Sequence, residues 1–164
     1  MLAEPLSHPA RPEQARDAIL IERLVERFHR KHLAELPALI ELAWKVERVH
    51  QAHDACPLGA AEHLLLMYED LEAHQQKEEA VLFPMILAGR SERLAQALRR
   101  IGEEHAEHLE QLQELRRVMR DFEPPPDACG SWRRLYEGCR AFYEDLREHV
   151  RIEDALFARA LESR

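Results

Sequence analysis

The chain has 164 residues, 46% of them hydrophobic and 33% charged, and a formal net charge of -8. That length suits one domain, no apolar run approaches the roughly 18 residues of a transmembrane helix, and basic residues scattered among acids make a poor nucleic-acid binder. Three cysteines, Cys56, Cys129 and Cys139, exclude a disulfide framework or a Cys-rich zinc site, and the opening residues lack the basic start and apolar centre of a secretory signal, so the cytoplasm is the expected compartment.

Residues 1–14, with Pro5, Pro9 and Pro12, read as a flexible lead, and 15–164 as one folded unit. Apolar residues recur at spacings of three and four from Ile21 to Val46, which predicts a helix from about Ala15 to His50, kinked at Pro37. Pro57 and Gly59 mark a loop over 51–59. A second helix is expected from about Ala60 to Leu87, bent by Pro84 in its last turn. Gly89 stops it, and Ser91 caps a third helix that carries Leu94, Leu98, Ile101, Leu112 and Met119. Pro124, Pro125 and Pro126 break the chain before a fourth helix from about Ser131 to Leu161. Four long helices with short connections predict an all-α, up-down-up-down bundle.

The unusual feature is ten histidines. His74 and Glu78 stand four apart, as do His149 and Glu153, so each pair shares one helix face. His29 precedes His74 by 45 positions and His105 precedes His149 by 44. The first two helices thus repeat as the last two: a lone histidine, then a His–Glu pair. Counting about 1.5 Å per residue from the helix ends brings all four histidines within about 10 Å of one level. Four imidazoles and two carboxylates at one level of a bundle core suit two metal ions, with iron or manganese favoured over zinc by the mixed donors. The candidate ligands are therefore His29, His74, Glu78, His105, His149 and Glu153.

Other residues compete for roles. His32 lies one turn from His29, which is preferred because it keeps the 45/44 repeat. His108 offers a fifth imidazole. His50 caps or packs at the bundle end, and His8, His53 and His63 read as surface or loop groups. Glu72, Glu79 and Glu104 adjoin the ligands in sequence but lie on other helix faces, as partners of ligands or as solvated acids. Cys56, in a loop, is the expected accessible thiol.

At these residues the sequence resembles the hemerythrin-like family, and within it the di-iron iron–sulfur cluster repair proteins. The matching runs are FHRKHLAELPALIELAWKVERVH from Phe28, CPLGA from Cys56, HQQKEEAVLFPMI from His74, EEH ending at His105, PPPDACGSW from Pro124 and HVRIEDALFARAL from His149. The resemblance implies a four-helix bundle whose two non-haem iron ions, oxo- and carboxylate-bridged, are held by His29, His74, Glu78, His105, His149 and Glu153. Glu78 and Glu153 would bridge. It implies a protein that restores iron–sulfur clusters damaged by nitric oxide or oxidants in the bacterial cytoplasm, by iron donation or nitric oxide chemistry. Its partners would be damaged iron–sulfur proteins or an electron donor, with oxygen or nitric oxide as small ligands and neither nucleic acid nor membrane.

The chain departs from the family pattern. Larger members carry an N-terminal domain with adjacent cysteines, and no two cysteines are adjacent in these 164 residues. Arg151, Ala158 and Ala106 stand where the family usually has His, Pro and Asp. The alternatives are a hemerythrin-type oxygen or nitric oxide carrier or sensor, a nitric oxide reductase or ferroxidase, and a purely structural bundle. Leu109 weighs against the carrier, because oxygen-carrying hemerythrins place a second imidazole there.

Overall fold

A computed structural model describes residues 12–89 and 92–162. Most of the expected lead, His8 and the Ser91 cap lie outside them. No strand occurs among the described residues. The first helical rod comprises α1 (Pro12–Leu24), a π-helical turn (Val25–His29) and α2 (Arg30–His50). It begins three residues before the expected start. Pro37 lies inside α2, which continues through it.

The second rod comprises α3 (Ala60–Lys77), a second π-helical turn (Glu78–Leu82) and α4 (Phe83–Ala88). Gly59 and Gly89 bound it, with φ of 87° and 86°, a region where a Cβ is strained. Pro84 has no N–H to donate, and the wider π turn falls just before it. α5 (Glu92–Val118) and α6 (Gly130–Glu162) form the third and fourth rods. The first rod packs on the second and fourth, and the third packs on the same two. His53 meets Asp127, and the Asp54 carbonyl accepts from Arg120, so loops 51–59 and 119–129 share one end.

The interior has two apolar cores. One, toward the loop end, includes Leu36, Leu64, Met67, Leu112, Leu115, Trp132 and Phe142. The other, toward the α1 end, includes Leu24, Phe28, Leu82, Phe83, Leu98, Leu156 and Phe157. Between them lie the buried polar and charged side chains of the described residues: His29, His32, His74, Gln75, Glu78, His105, His108, His149 and Glu153. Leu112 is fully buried. Leu112→Ala is expected to lower the unfolding free energy by about 2–5 kcal/mol in chemical denaturation, from lost transfer energy and the cavity left behind.

Candidate metal centre

Each rod contributes to the polar layer. The first carries His29 and His32, the second His74, Gln75 and Glu78, the third His105 and His108, the fourth His149 and Glu153. Both π turns fall at this layer, one ending on His29 and one starting on Glu78. A π turn fits an extra residue into the helix, and such turns are frequent at functional sites. Phe28 and His29, adjacent in sequence, both face inward at the first.

Ligand atoms of His29, Glu78, His149 and Glu153 lie within 4.8 Å of one another, and so do those of His74, Glu78, His105 and Glu153. The two groups share both carboxylates. Glu153 Oε1 is 3.2 Å from His29 Nε2 and 2.9 Å from His149 Nε2, while its Oε2 is 3.3 Å from His105 Nε2. Glu78 Oε2 is 3.5 Å from His29 Nε2, while its Oε1 is 3.3 Å from His74 Nε2 and 3.6 Å from His105 Nε2. Each carboxylate thus turns one oxygen toward each group. The chain brings together all six residues singled out by spacing.

In three of the four histidines the other ring nitrogen faces outward to an acid. The Nδ1–H of His29 donates to Glu79 at 2.8 Å, that of His74 to Glu104 at 2.9 Å, and that of His105 to Asp154 at 2.8 Å. Lys77 holds Glu104 in turn, 2.6 Å from each oxygen. Such hydrogen bonds fix the ring and leave Nε2 as the free donor to a metal. Asp154 escaped the sequence reading, although it follows Glu153 as Glu79 follows Glu78.

The charges explain one another. Burial works against a charged His105, but Asp154, Glu153 and Glu78 outweigh it and push its pKa up to about 11. His29 is raised in the same way, against burial, chiefly by Glu153 and Glu78. Burial and their mutual repulsion oppose ionised Glu78 and Glu153, yet the surrounding histidines hold both below the usual carboxylate range, Glu153 well below. Without metal the layer is a knot of imidazolium and carboxylate. Metal ions would supply the positive charge instead, releasing those protons.

His32 and His108 join neither group. Burial first, then neighbouring histidines, lower them to about 3 and about 4, so both are neutral. Gln75, buried with its whole amide unpartnered, is a further polar member that the sequence reading missed.

The remaining expectations resolve simply. His50 packs on Trp132, with ring centroids 4.8 Å apart, and its Nε2 lies 3.2 Å from Cys129 Sγ. His53 also packs on Trp132, and His63 Nε2 meets the Gln111 carbonyl at 2.8 Å. The exposed thiol is Cys129 rather than Cys56, which is half-buried because its side chain turns onto the loop-end core. Ala106, Arg151 and Ala158 are exposed, so these departures lie on the surface. No helix among the described residues is long and apolar enough to cross a membrane.

A buried cluster of paired imidazoles and shared carboxylates inside helical rods defines a cation-binding helical protein. Residues 20–161 match the hemerythrin HHE cation binding domain, and the chain belongs to that family. Among named relatives it is similar to the iron-sulfur cluster repair protein YtfE of Dickeya chrysanthemi (strain Ech1591). The two are 41% identical over 150 residues, which is 91% of this chain and 68% of that protein. Its identity to the YtfE protein of Musicola paradisiaca (strain Ech703) is 43% over 143 residues, 87% of this chain and 64% of the relative. For the Salmonella typhimurium (strain LT2) protein it is 38% over 145 residues, 88% and 66%. The chain spans about two thirds of the length of these relatives.

Proposed function

We propose that this chain is a non-haem di-iron protein that helps repair iron–sulfur clusters damaged by nitric oxide or oxidative stress in the cytoplasm. The observation that carries this reading is the double group of His29, His149 and His74, His105 around the shared Glu78 and Glu153. Similarity to iron-sulfur cluster repair proteins supports the client class. We read residues 15–164 as one up-down-up-down bundle, a reading supported by the ring of rod contacts and by the two loops meeting at one end.

His29 and His149 would hold one iron, His74 and His105 the other, with Glu78 and Glu153 spanning both. Two imidazoles and shared carboxylates per position suit iron, and the buried oxygens of Glu78 and the Nε2 of His105 have no hydrogen-bond partner. Such a pair supplies one-electron redox chemistry and open positions for a small ligand such as nitric oxide. The protein's own part is to aim the Nε2 of His29, His74 and His105, through Glu79, Glu104 and Asp154, and to exclude bulk water with the two apolar cores. Iron donation to a damaged client, with an electron donor as second partner, is the activity assigned.

The test is transfer. The chain, loaded anaerobically with ferrous iron, is incubated with an apo iron–sulfur protein, a sulfide source and a reductant. Recovery of the client's cluster absorbance, lost when Glu153→Gln replaces the natural chain, is expected. Absence of transfer from a fully loaded chain, together with a stable, reversible oxygenated spectrum, would replace repair with carriage.

A further inference from the structure

The internal repeat maps the first rod onto the third and the second onto the fourth. It holds well for two of the outward hydrogen bonds. Glu79 and Asp154 each follow a shared carboxylate by one position, and each accepts from the lone histidine of the preceding rod, both at 2.8 Å. It fails for the other two imidazoles, His74 and His149. Glu104 immediately precedes His105 and accepts from His74. The residue that immediately precedes His29 is Phe28. Phe28 lies flat on His149, with ring centroids 5.1 Å apart and planes 6° from parallel. An aromatic face thus occupies the place of the carboxylate.

The substitution reaches one residue further. Lys77, which holds Glu104, maps onto Ile152. Ile152 and Phe28 line one surface cleft of about 410 Å³ together with Leu20 and Leu24. An ion pair on one side of the molecule is an apolar pair on the other. In consequence His149 Nδ1 is buried with no partner. The His32 ring also packs on His149, with centroids 5.4 Å apart, and its two nitrogens are unpartnered as well.

A carboxylate behind a ligating imidazole raises its basicity and fixes its orientation, and loss of such a partner typically costs about 10- to 100-fold in metal affinity. The His74/His105 position has two such carboxylates, and the His29/His149 position has one. We propose that the two metal positions are unequal: the ion between His29 and His149 is held at least about tenfold more weakly than the ion between His74 and His105, and is the one released. The inequality rests on the six-residue centre alone, whereas the role in release rests on the repair reading above. Phe28 and Glu104 are the positioning residues that set the difference.

The test uses the full chain loaded anaerobically with two equivalents of ferrous iron and mixed with a chromophoric ferrous chelator. Release is expected in two phases of equal amplitude, with rates at least about tenfold apart. Glu104→Gln is expected to bring the slow phase up to the fast one and leave the fast phase where it was. The double variant Phe28→Glu with Ile152→Lys is expected to slow the fast phase toward the slow one. Glu104 is only partly buried, so Glu104→Gln tests the inference even where the double variant fails to fold. A general loosening of the bundle would accelerate both phases together. A single phase in the natural chain, or a Glu104→Gln variant that speeds both phases or neither, overturns the inequality. Failure to bind two ions overturns the centre itself. Two phases without transfer to an apo-cluster client overturn the repair role and uphold the inequality.

Discussion

Glu153→Gln is expected to empty both metal positions, not one. Its Oε1 faces His29 and His149, and its Oε2 faces His105, so one residue serves both groups. An amide offers one oxygen where the carboxylate offers two, and carries no charge to balance a pair of cations. Loss of a ligand outweighs the 10- to 100-fold typical of an outer partner, so an affinity fall of more than about 100-fold at each position is expected. The measurement is metal content per chain after anaerobic loading and desalting. His74→Ala provides the contrast, because His74 belongs to one group only. Retention of one ion by His74→Ala and of none by Glu153→Gln is the expected pattern. Full occupancy of one position in Glu153→Gln would show that the carboxylates are not shared. The same variant is expected to destabilise the metal-free chain by roughly 3–5 kcal/mol, because charged His29 and His105 lose the anion that holds them.

The rods were readable because each buries a stripe at helical spacing. Leu36, Ala43 and Val46 in α2, and Leu98, Ile101, Leu112 and Leu115 in α5, fall on the expected inward faces. Prolines and glycines marked the breaks, at Pro57–Gly59 and Gly89 and from Pro124 to Pro126. The π turns were not readable. A period of three and four tolerates one extra residue without an obvious flaw, and the insertion shows only as adjacent buried residues such as Phe28 and His29. Pro37 does not end its helix, because a proline within a long rod can be accommodated where neighbouring rods hold the helix in place.

The grouping of the six candidate residues was legible for a different reason. Its six residues come as a repeat, and a 45/44 spacing of His with two i,i+4 carboxylates has no packing explanation. What supports the ligands was less visible. Glu79, Glu104 and Asp154 sit at the rim, on helix faces that a periodicity argument assigns to solvent, and each becomes a partner only across a rod-to-rod contact. His32 and His108 show the converse. Both are buried at the same level as the ligands, and a histidine in that place looks like a ligand in sequence. Their shift to neutral forms comes from burial beside other imidazoles, which no single-chain pattern encodes.

The stability of the metal-free chain is expected to peak near pH 6.5 and that of the loaded chain to level off above it. His29 and His105 are raised in the folded state, so their contribution is fully present below the ordinary histidine value of 6.5 and is lost as pH rises toward the folded value, about 11 for His105. Glu78 and Glu153 are lowered, so their contribution is present above the ordinary 4.5 and is lost as pH falls through their folded values. His32 and His108 are lowered to about 3 and about 4, so below 6.5 the unfolded chain takes up protons that the folded chain refuses, and stability falls there too. These slopes meet near 6.5. Above it, with two imidazoles protonated only in the folded state, the metal-free chain is expected to lose about 1–3 kcal/mol per pH unit. Metal must displace those protons, so its affinity climbs over the same interval and stabilises the folded chain increasingly. Denaturant titrations of metal-free and ferrous-loaded chain at pH 6.5, 7.5 and 8.5 check this. Curves that separate with rising pH are the expected result, and parallel curves would mean that the ligand histidines carry no protons for metal to replace.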